Sequence, residues 1–598
     1  MSAVATLLLA LFAAGPASAT IKYRVSLAHN EEHLFQVEME IPNVAQGTEV
    51  AMPVWNALYQ VRDFAVRIHD LQLVQPAVLN LSAPPAILLA VNKQTWRIVL
   101  PQSQGSAAPQ GATVILRYSI EWDDAGPFNS QLDAHHAFVN FAEILLYLPT
   151  RRSESTDLAF TDVPAEWKLV AELPSGDEPN SFSAESYDAL VDAPLEAGKF
   201  SSFSFDNQGA HFRVAVDGDN WNKRNLEDYL RGITSYELRL MGGPPFKEYT
   251  FLFHIGPYPD VGGGGMEHSN STAIAAPSVE SAATIAAHEF FHAWNVKRIR
   301  PQTLEPVDYS KEQPTRALWF AEGVTSTYGA YTLERAGLWT KDQFYGDLAM
   351  QIDDLESRPA RRWESAEGSS LAAWLEKYDD YNTPGRSISY YNKGQLIGVF
   401  LDLSIRDATD NQKSLDDVLR AMNAEYAKAG KFYDESDGIR QVVEEVSGGD
   451  YKSFFQRFVS GTDEIPYQTF LSAAGLELKT QTTESTDLGF RPEAQMNKSV
   501  MVTNLEPGSA AEAAGIRDGD IILPPRDKSS SKDTIEWLAQ RAAGDPLVLR
   551  IRRGGQELEL SFLVSSHEDR QYSISEISHP SEKQRRIRDG WLHGATGQ

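Results

Sequence analysis

The sequence predicts a multidomain α+β protein, on three observations. From Thr20 to about Pro194 apolar and polar residues alternate with period two; from about Thr340 to Ala474 the apolar spacing is helical; from about Thr482 to Val564 the composition shifts to a compact β-rich module. At 598 residues the chain is too long for one core and divides into three or four domains, each able to bury ample apolar surface.

Composition narrows the function. The hydrophobic fraction of 42% is that of globular protein, and the formal net charge is −28 with no basic tract dense enough to follow a phosphate backbone. Nucleic acid and anionic membrane surfaces are excluded as principal partners, and the acidity serves solubility. Residues 1–19 read as a signal peptide: an apolar run around Leu7 to Ala14, then Gly15-Pro16 and the small triplet Ala17-Ser18-Ala19, with cleavage before Thr20. No Lys or Arg precedes the run, and a retained anchor is the alternative. No second run approaches membrane-spanning length, so the mature chain is expected to be exported, periplasmic or extracellular, without stable membrane association. There are no cysteines, so disulfides and a lipid-attached cysteine are excluded, and any zinc must be held by His and carboxylate.

The first domain, expected over residues 20–195, is built of half-buried strands. Phe35, Val37, Met39 and Ile41 alternate with Gln36, Glu38 and Glu40; Val114, Leu116, Tyr118, Ile120 and Trp122 alternate with Ile115, Arg117, Ser119 and Glu121. Such patterns build an antiparallel sheet, a sandwich or a saddle. His135 and His136 are adjacent, point different ways on any regular element, and read as surface or packing residues.

The second domain, residues 196–475, carries the chemistry. After a strand-like segment, Tyr249 to His254, comes the loop Val261-Gly262-Gly263-Gly264-Gly265-Met266-Glu267-His268. Consecutive glycines let backbone approach a ligand closely. The loop can wall a cleft, with Glu267 as a fixed anion facing substrate. Pro277-Ser278-Val279-Glu280 then opens a helix with a capping serine and an acid, and Lys297, Arg298 and Arg300 load its C-terminal end before Pro301.

On that helix lies His288-Glu289-Phe290-Phe291-His292. Residues four apart share a face, so His288 and His292 can hold one zinc while Glu289 deprotonates water. The alternative is an amphipathic helix whose histidines only satisfy core hydrogen bonds. A second helix, from about Thr315 to Arg335, aligns Leu318, Glu322, Thr325, Ser326 and Gly329 in one stripe whose small residues permit close approach. Glu322 is the candidate third ligand; two imidazoles and a carboxylate are the stoichiometry of catalytic zinc, one Zn2+ per chain. Further on, Ser389-Tyr390-Tyr391-Asn392-Lys393-Gly394 leads into an apolar helix, where a phenol either packs or donates to an oxyanion.

The module at 482–565 reads in order Asp487-Leu488-Gly489-Phe490, the strand Val500 to Thr503, the turn-rich stretch Pro507 to Asp520, and a hairpin at Gly554-Gly555. It is PDZ-like. Such domains take an extended peptide as an added strand, with backbone N–H groups around Leu488, Gly489 and Phe490 receiving a terminal carboxylate. Residues 566–598 read as a charged C-terminal tail.

With these pieces placed, the chain resembles the glycyl aminopeptidase family, gluzincin metallopeptidases that combine a β-rich N-terminal domain, a thermolysin-like mixed α/β and helical catalytic domain, and a C-terminal PDZ domain. The motifs that carry the resemblance are His288 to Arg298, Leu318-Trp319-Phe320-Ala321-Glu322-Gly323, Ser389 to Gly394 and Leu401 to Arg406, with Trp55 to Ala65 similar to the family's N-terminal signature. The resemblance implies zinc on His288, His292 and Glu322, with Glu289 as base. The chain is also similar to the wider aminopeptidase N group, whose Gly-x-Met-Glu-Asn loop reads the free amine of the substrate. On that likeness Gly265 and Met266 line the substrate, Glu267 binds the amine, and His268 stands in place of asparagine. Tyr391 is the match to the group's oxyanion tyrosine, with Tyr390 on another side of the chain.

The function expected is a zinc-dependent aminopeptidase removing small N-terminal residues, Gly or Ala, from peptides with a free N-terminus; the PDZ-like module would add protein or peptide C-termini as partners. A zinc endopeptidase gripping protein C-termini, and a non-catalytic PDZ binding protein, are the competing readings.

Overall fold

The computed structural model describes residues 20–56, 58–74, 86–100, 112–219, 221–256, 263–378, 380–495, 499–525 and 530–597. The expected signal peptide, and Val261 and Gly262 of the glycine loop, lie outside the described residues. The chain forms two compact units, Met1–Glu477 with Glu576–Gln598, and Leu478–Ser575. No helix among the described residues is long and apolar enough to cross a membrane.

The first unit begins with β-structure whose burial follows the alternation. Strand Ile21–His29 buries Ile21, Tyr23, Val25 and Leu27 and turns the residues between them outward. It pairs antiparallel with Leu34–Val44 and parallel with Thr156–Thr161. Ala112–Glu121 joins the far side of Leu34–Val44. The predicted inward residues Phe35, Val37, Met39, Ile41, Val114, Leu116, Tyr118, Ile120 and Trp122 are all buried, in one core. A smaller sheet of four strands, Gln131–Leu132, His136–Val139, Leu195–Gly198 and Lys168–Ala171, follows. His135 is exposed and His136 is buried.

The sheet that carries the site has five strands. In spatial order they are Ser201–Asn207, Ala210–Asp217, Glu248–Ile255, Ser271–Ala276 and Gly264–Glu267. The inner pairs are parallel, and the Gly264–Glu267 edge strand runs antiparallel to Ser271–Ala276, Glu267 opposite Thr272. Apolar residues at every position of Tyr249–Ile255 but Thr250 and His254 suit a strand buried on both faces.

Behind this sheet the chain is helical. Helix Val279–Glu289 is capped by Ser278, whose Oγ accepts from the Ser281 N–H at 3.2 Å. It was expected to run towards Pro301 but ends at Glu289, and His292 sits in the tight turn Phe291–Ala293. The reason is tertiary: the Asn295 side chain donates to the Phe320 carbonyl at 2.9 Å and to Thr325 Oγ1 at 3.1 Å, tying the chain to the next segment. Lys297 and Arg298 therefore do not cap this helix. Lys297 pairs with Asp192 at 2.5 Å, and Arg298 donates to the Ser269 carbonyl and Asn270 Oδ1, both at 2.9 Å, bracing the turn after Glu267.

The polar C-terminal segment, read as a charged tail, contains helix Glu582–His593, which belongs to the first unit. Its sequence is mostly charged because only one stripe faces inward. Trp591 on that stripe is buried against Phe344, with ring centroids 5.1 Å apart, and donates from Nε1 to the Tyr331 hydroxyl at 2.6 Å. Beyond the helix, the Ala595 carbonyl accepts from Arg406 at 2.8 Å.

The second unit has five strands paired antiparallel in sequence order, Arg491–Ala494, Val500–Thr503, Ile521–Ile522, Pro546–Arg553 and Gln556–Leu563, with helices Ala510–Ala513 and Ser531–Ala539. Phe490 is part of its core, beside Val502, Ile551 and Phe562. Gly489 has φ 73°, in the region that favours glycine, and its N–H is taken by Asp487 Oδ1 at 2.6 Å. Of the loop donors expected to meet a carboxylate, this one is already engaged.

Trp591→Ala removes a large ring from a full pocket and should cost about 3–5 kcal/mol, as such truncations do. The expected result is a clear drop in the unfolding midpoint of the first unit followed by near-ultraviolet circular dichroism; an unchanged midpoint would show that helix Glu582–His593 does not hold the first unit together.

Candidate active site

Three segments meet at His288, His292 and Glu322. The first is the end of the capped helix and its turn. The second is the wide helical turn Trp319–Val324, which runs straight into helix Thr325–Arg335. A turn of this kind inserts a residue into the helical ladder and commonly marks a working site. The third is helix Tyr390–Ala408, capped by Ser389.

Glycine sets how near they come. A Cβ at Gly323 would lie 2.4 Å from the Gly394 Cα, so the turn and the third helix touch backbone to backbone. At Gly329 a Cβ would meet the His288 backbone at 3.5 Å, ordinary contact that leaves helix Thr325–Arg335 lying against the histidine helix.

The ligand atoms converge. His292 Nε2 lies 3.0 Å from His288 Nε2 and 3.2 Å from Glu322 Oε2, and His288 Nε2 lies 3.6 Å from the same oxygen. A tetrahedral zinc with bonds of about 2.0–2.1 Å holds its ligands about 3.3 Å apart, so the trio fits such an ion. The outer ring nitrogens are committed elsewhere. His292 Nδ1 donates to the Asn295 carbonyl at 2.6 Å. The Ser326 hydroxyl donates to the Glu322 carbonyl at 3.0 Å, which leaves its oxygen to accept from His288 Nδ1 at 3.2 Å. Both Nε2 atoms are thereby aimed inward.

Charge follows from this crowding. Burial opposes a proton on His292, but the Glu322 carboxylate outweighs it and raises the imidazole to about 10. Glu322 is held well below the usual carboxylate range because its imidazole neighbours outweigh its own burial. Glu289 is pushed well above that range, first by burial and then by the charges of Glu267 and Glu322. One of its buried oxygens, Oε2, has no hydrogen-bond partner in the protein.

The edge strand faces this cluster. One ligand-type atom each of Glu267, Glu289 and His292 lies within 4.8 Å of the others. Gly265 is the reason Glu289 fits, since a Cβ there would fall 2.4 Å from Glu289 Cγ. Met266 is buried, and its carbonyl accepts from Thr272 Oγ1 at 3.0 Å, which steadies the strand. His268 is buried with Nδ1 3.5 Å from Asp192. Tyr391 is 39% exposed, its ring centroid 6.1 Å from that of His288. Tyr390 is buried and stacks on Tyr391 at 4.7 Å, so the two rings lie together rather than diverging.

Sequence reasoning missed the share of the first domain. A cavity of about 350 Å³ opens beside Glu267, with Trp55, Tyr59, Met266, Val296, Arg300 and Tyr309 in its wall. Tyr59 sits there at φ 49°, a strained backbone for a bulky residue, and packs on Trp374 from across the domain boundary. Trp55 does the same, and its indole N–H donates to the Asp308 carbonyl at 2.7 Å. The aromatic motif from Trp55 was the available signal. Asn295 and Ser326, which orient the imidazoles, were visible only as neighbours of the metal motif.

Residues 281–397 match the model of the M61 glycyl aminopeptidase, and residues 22–199 match the peptidase M61 N-terminal domain. Curated proteins give no match. Among solved structures, the chain is similar in fold to an aminopeptidase N family protein from Idiomarina loihiensis, at 23% identity and a TM-score of 0.84, over 96% of this chain and 100% of that one. An M1 zinc metallopeptidase from Deinococcus radiodurans aligns at 14% identity and a TM-score of 0.45, over 75% of this chain and 94% of that one. Both family models are matched in order, with the three-residue cluster inside the catalytic one, so the chain carries domains similar to the two of the M61 glycyl aminopeptidases and is a metallo-aminopeptidase.

Proposed function

We propose that this enzyme removes small N-terminal residues, glycine or alanine, from peptides with a free amine, using one zinc on His288, His292 and Glu322. The observation that carries the reading is the cluster of Glu267, Glu289 and His292 within 4.8 Å, beside the three-ligand set. A zinc ion there would polarise the scissile carbonyl and make water acidic enough to lose a proton near neutral pH.

The residues of the chain do the rest. Glu289, with its unpartnered buried oxygen, takes a proton from water and returns it to the leaving amine. Tyr391 donates its phenol hydrogen to the oxyanion; loss of one such donor costs about 3 kcal/mol in the barrier. Gly265 and Met266 present backbone along the edge of the sheet, where an extended peptide can lie. Glu267 then meets the ammonium of the first residue. A blocked or interior peptide offers no such charge and leaves a desolvated carboxylate unpaired, which is the source of exopeptidase selectivity.

The second unit supports a PDZ-like peptide-binding role through its edge strand Arg491–Ala494, with helix Ser531–Ala539 packed on the same sheet and Leu488 in the loop before it. Export rests on the pattern of residues 1–19.

Glu267→Ala should retain zinc yet lose roughly a hundredfold or more in kcat/KM on aminoacyl amides, the cost expected for an unmatched buried charge. Assay on free and N-acetylated peptides with metal analysis tests it: unchanged cleavage of free-amine substrates would sink the amine-anchor role. Gly265→Ala places a methyl against Glu289, so the rate should fall at constant zinc content. Full activity in that variant would mean the two residues move apart without consequence.

Zinc affinity should also depend on pH. Metal-free His292 titrates at about 10, so at neutral pH it carries a proton that zinc must expel. Affinity therefore rises with pH, about tenfold per unit for one displaced proton, from neutrality towards that value. Chelator competition at a series of pH values measures the slope, and a flat profile would contradict the assignment.

A further inference from the structure

We propose that His136, Glu196 and His254 form a second metal site, separate from the hydrolytic one, in which a zinc-like divalent ion clamps the four-stranded sheet of the first domain to the five-stranded sheet that carries the substrate strand. The three side chains come from three strands of the two sheets, His136–Val139, Leu195–Gly198 and Glu248–Ile255. Glu196 stands directly opposite Phe138, and His136 lies two residues from Phe138, so His136 and Glu196 share one face. That face packs on the catalytic sheet through Phe138, Phe200, Ala215, Leu252 and Ala273. His254 reaches across, its ring edge-on to Phe138 at 5.0 Å and to His136 at 5.8 Å.

One ligand atom from each of the three lies within 4.8 Å of the others. His254 Nε2 is 2.8 Å from Glu196 Oε2. All three are buried, Glu196 to 2% exposure, and its second oxygen, Oε1, has no hydrogen-bond partner. A buried carboxylate oxygen without a donor is the position a cation satisfies. Two imidazoles and one carboxylate suit zinc and its neighbours rather than calcium or magnesium.

The surroundings resemble those of a ligated histidine. Asp133 faces His136 Nδ1 at 3.6 Å, leaving Nε2 for an ion, and is itself fixed by the backbone N–H groups of His135 and His136 at 2.6 and 2.9 Å. Gly198, opposite His136, gives the imidazole room: a Cβ there would lie 3.0 Å from His136 Cβ. Asp217, in register with His254 on the neighbouring strand, adds a carboxylate on the same face. The 2.8 Å separation must open by about half an ångström to admit a tetrahedral ion, little more than the 3.0 Å pair His288 and His292 needs.

The test counts metal in the full-length protein. After equilibrium dialysis against zinc, the wild type should hold two ions per chain and the Glu196→Gln variant one, with aminopeptidase activity retained. A His288→Ala/His292→Ala double variant, folded by circular dichroism, should keep one ion, and adding Glu196→Gln should reduce it to none. Wild type with one ion, or a folded double variant with none, overturns the proposal, leaving these residues a hydrogen-bonded contact between sheets. Should the double variant not fold, the wild-type and Glu196→Gln counts decide alone: two against one supports the site, and equal counts overturn it.

Discussion

The close approach of His288, His292 and Glu322 is the constraint on which the rest of the structure depends. The two imidazole nitrogens and the carboxylate oxygen lie 3.0, 3.2 and 3.6 Å apart, yet the histidine segment and the Glu322 segment are separate helical stretches, whose axes ordinarily pack about 8–10 Å apart. Glycine at three positions resolves the conflict. Gly323 and Gly394 let the glutamate turn touch the tyrosine helix, and Gly265 lets the edge strand lie against Glu289. Small residues on the stripe of Glu322, Ser326 and Gly329 do the same against the histidine helix. The wide turn Trp319–Val324 is the local distortion that accompanies this crowding.

Crowding of like charges has a second consequence. Glu267, Glu289 and Glu322 sit round two imidazoles in a desolvated pocket, and without a cation the balance is kept by a proton on His292 and a raised Glu289. The pocket is therefore built for added positive charge, and its two sources in the proposed reaction are the metal and the ammonium of the substrate. The Asn295 carbonyl and the Ser326 hydroxyl oxygen accept from the outer ring nitrogens and hold the rings from outside.

Much of the fold was legible because burial leaves a period in the sequence. The strands of the first domain were readable from Phe35 to Ile41 and from Val114 to Trp122, where one face is core and the other is not. Helix Val279–Glu289 was readable at its start, where Ser278 caps it, but not at its end, where Asn295 bonds to a segment some thirty residues away. Helix Glu582–His593 was hidden by composition: a docked helix can be charged over most of its surface provided one stripe, here Ile587 and Trp591, is buried.

What the sequence alone determined is the chemistry within reach of a single helix: two histidines four apart with a glutamate between them, and the residue types able to complete the set. The partners of that helix lie outside any local period. That Glu322 and Glu267 stand beside His292, that Tyr59 and Trp55 of the first domain wall the adjoining cavity, and that His136 meets His254 between two sheets were decided by tertiary structure. Hydrophobic patterning specifies which face of an element is buried, whereas contact across elements depends on register, on glycine-permitted approach and on side-chain hydrogen bonds that carry no periodic signal.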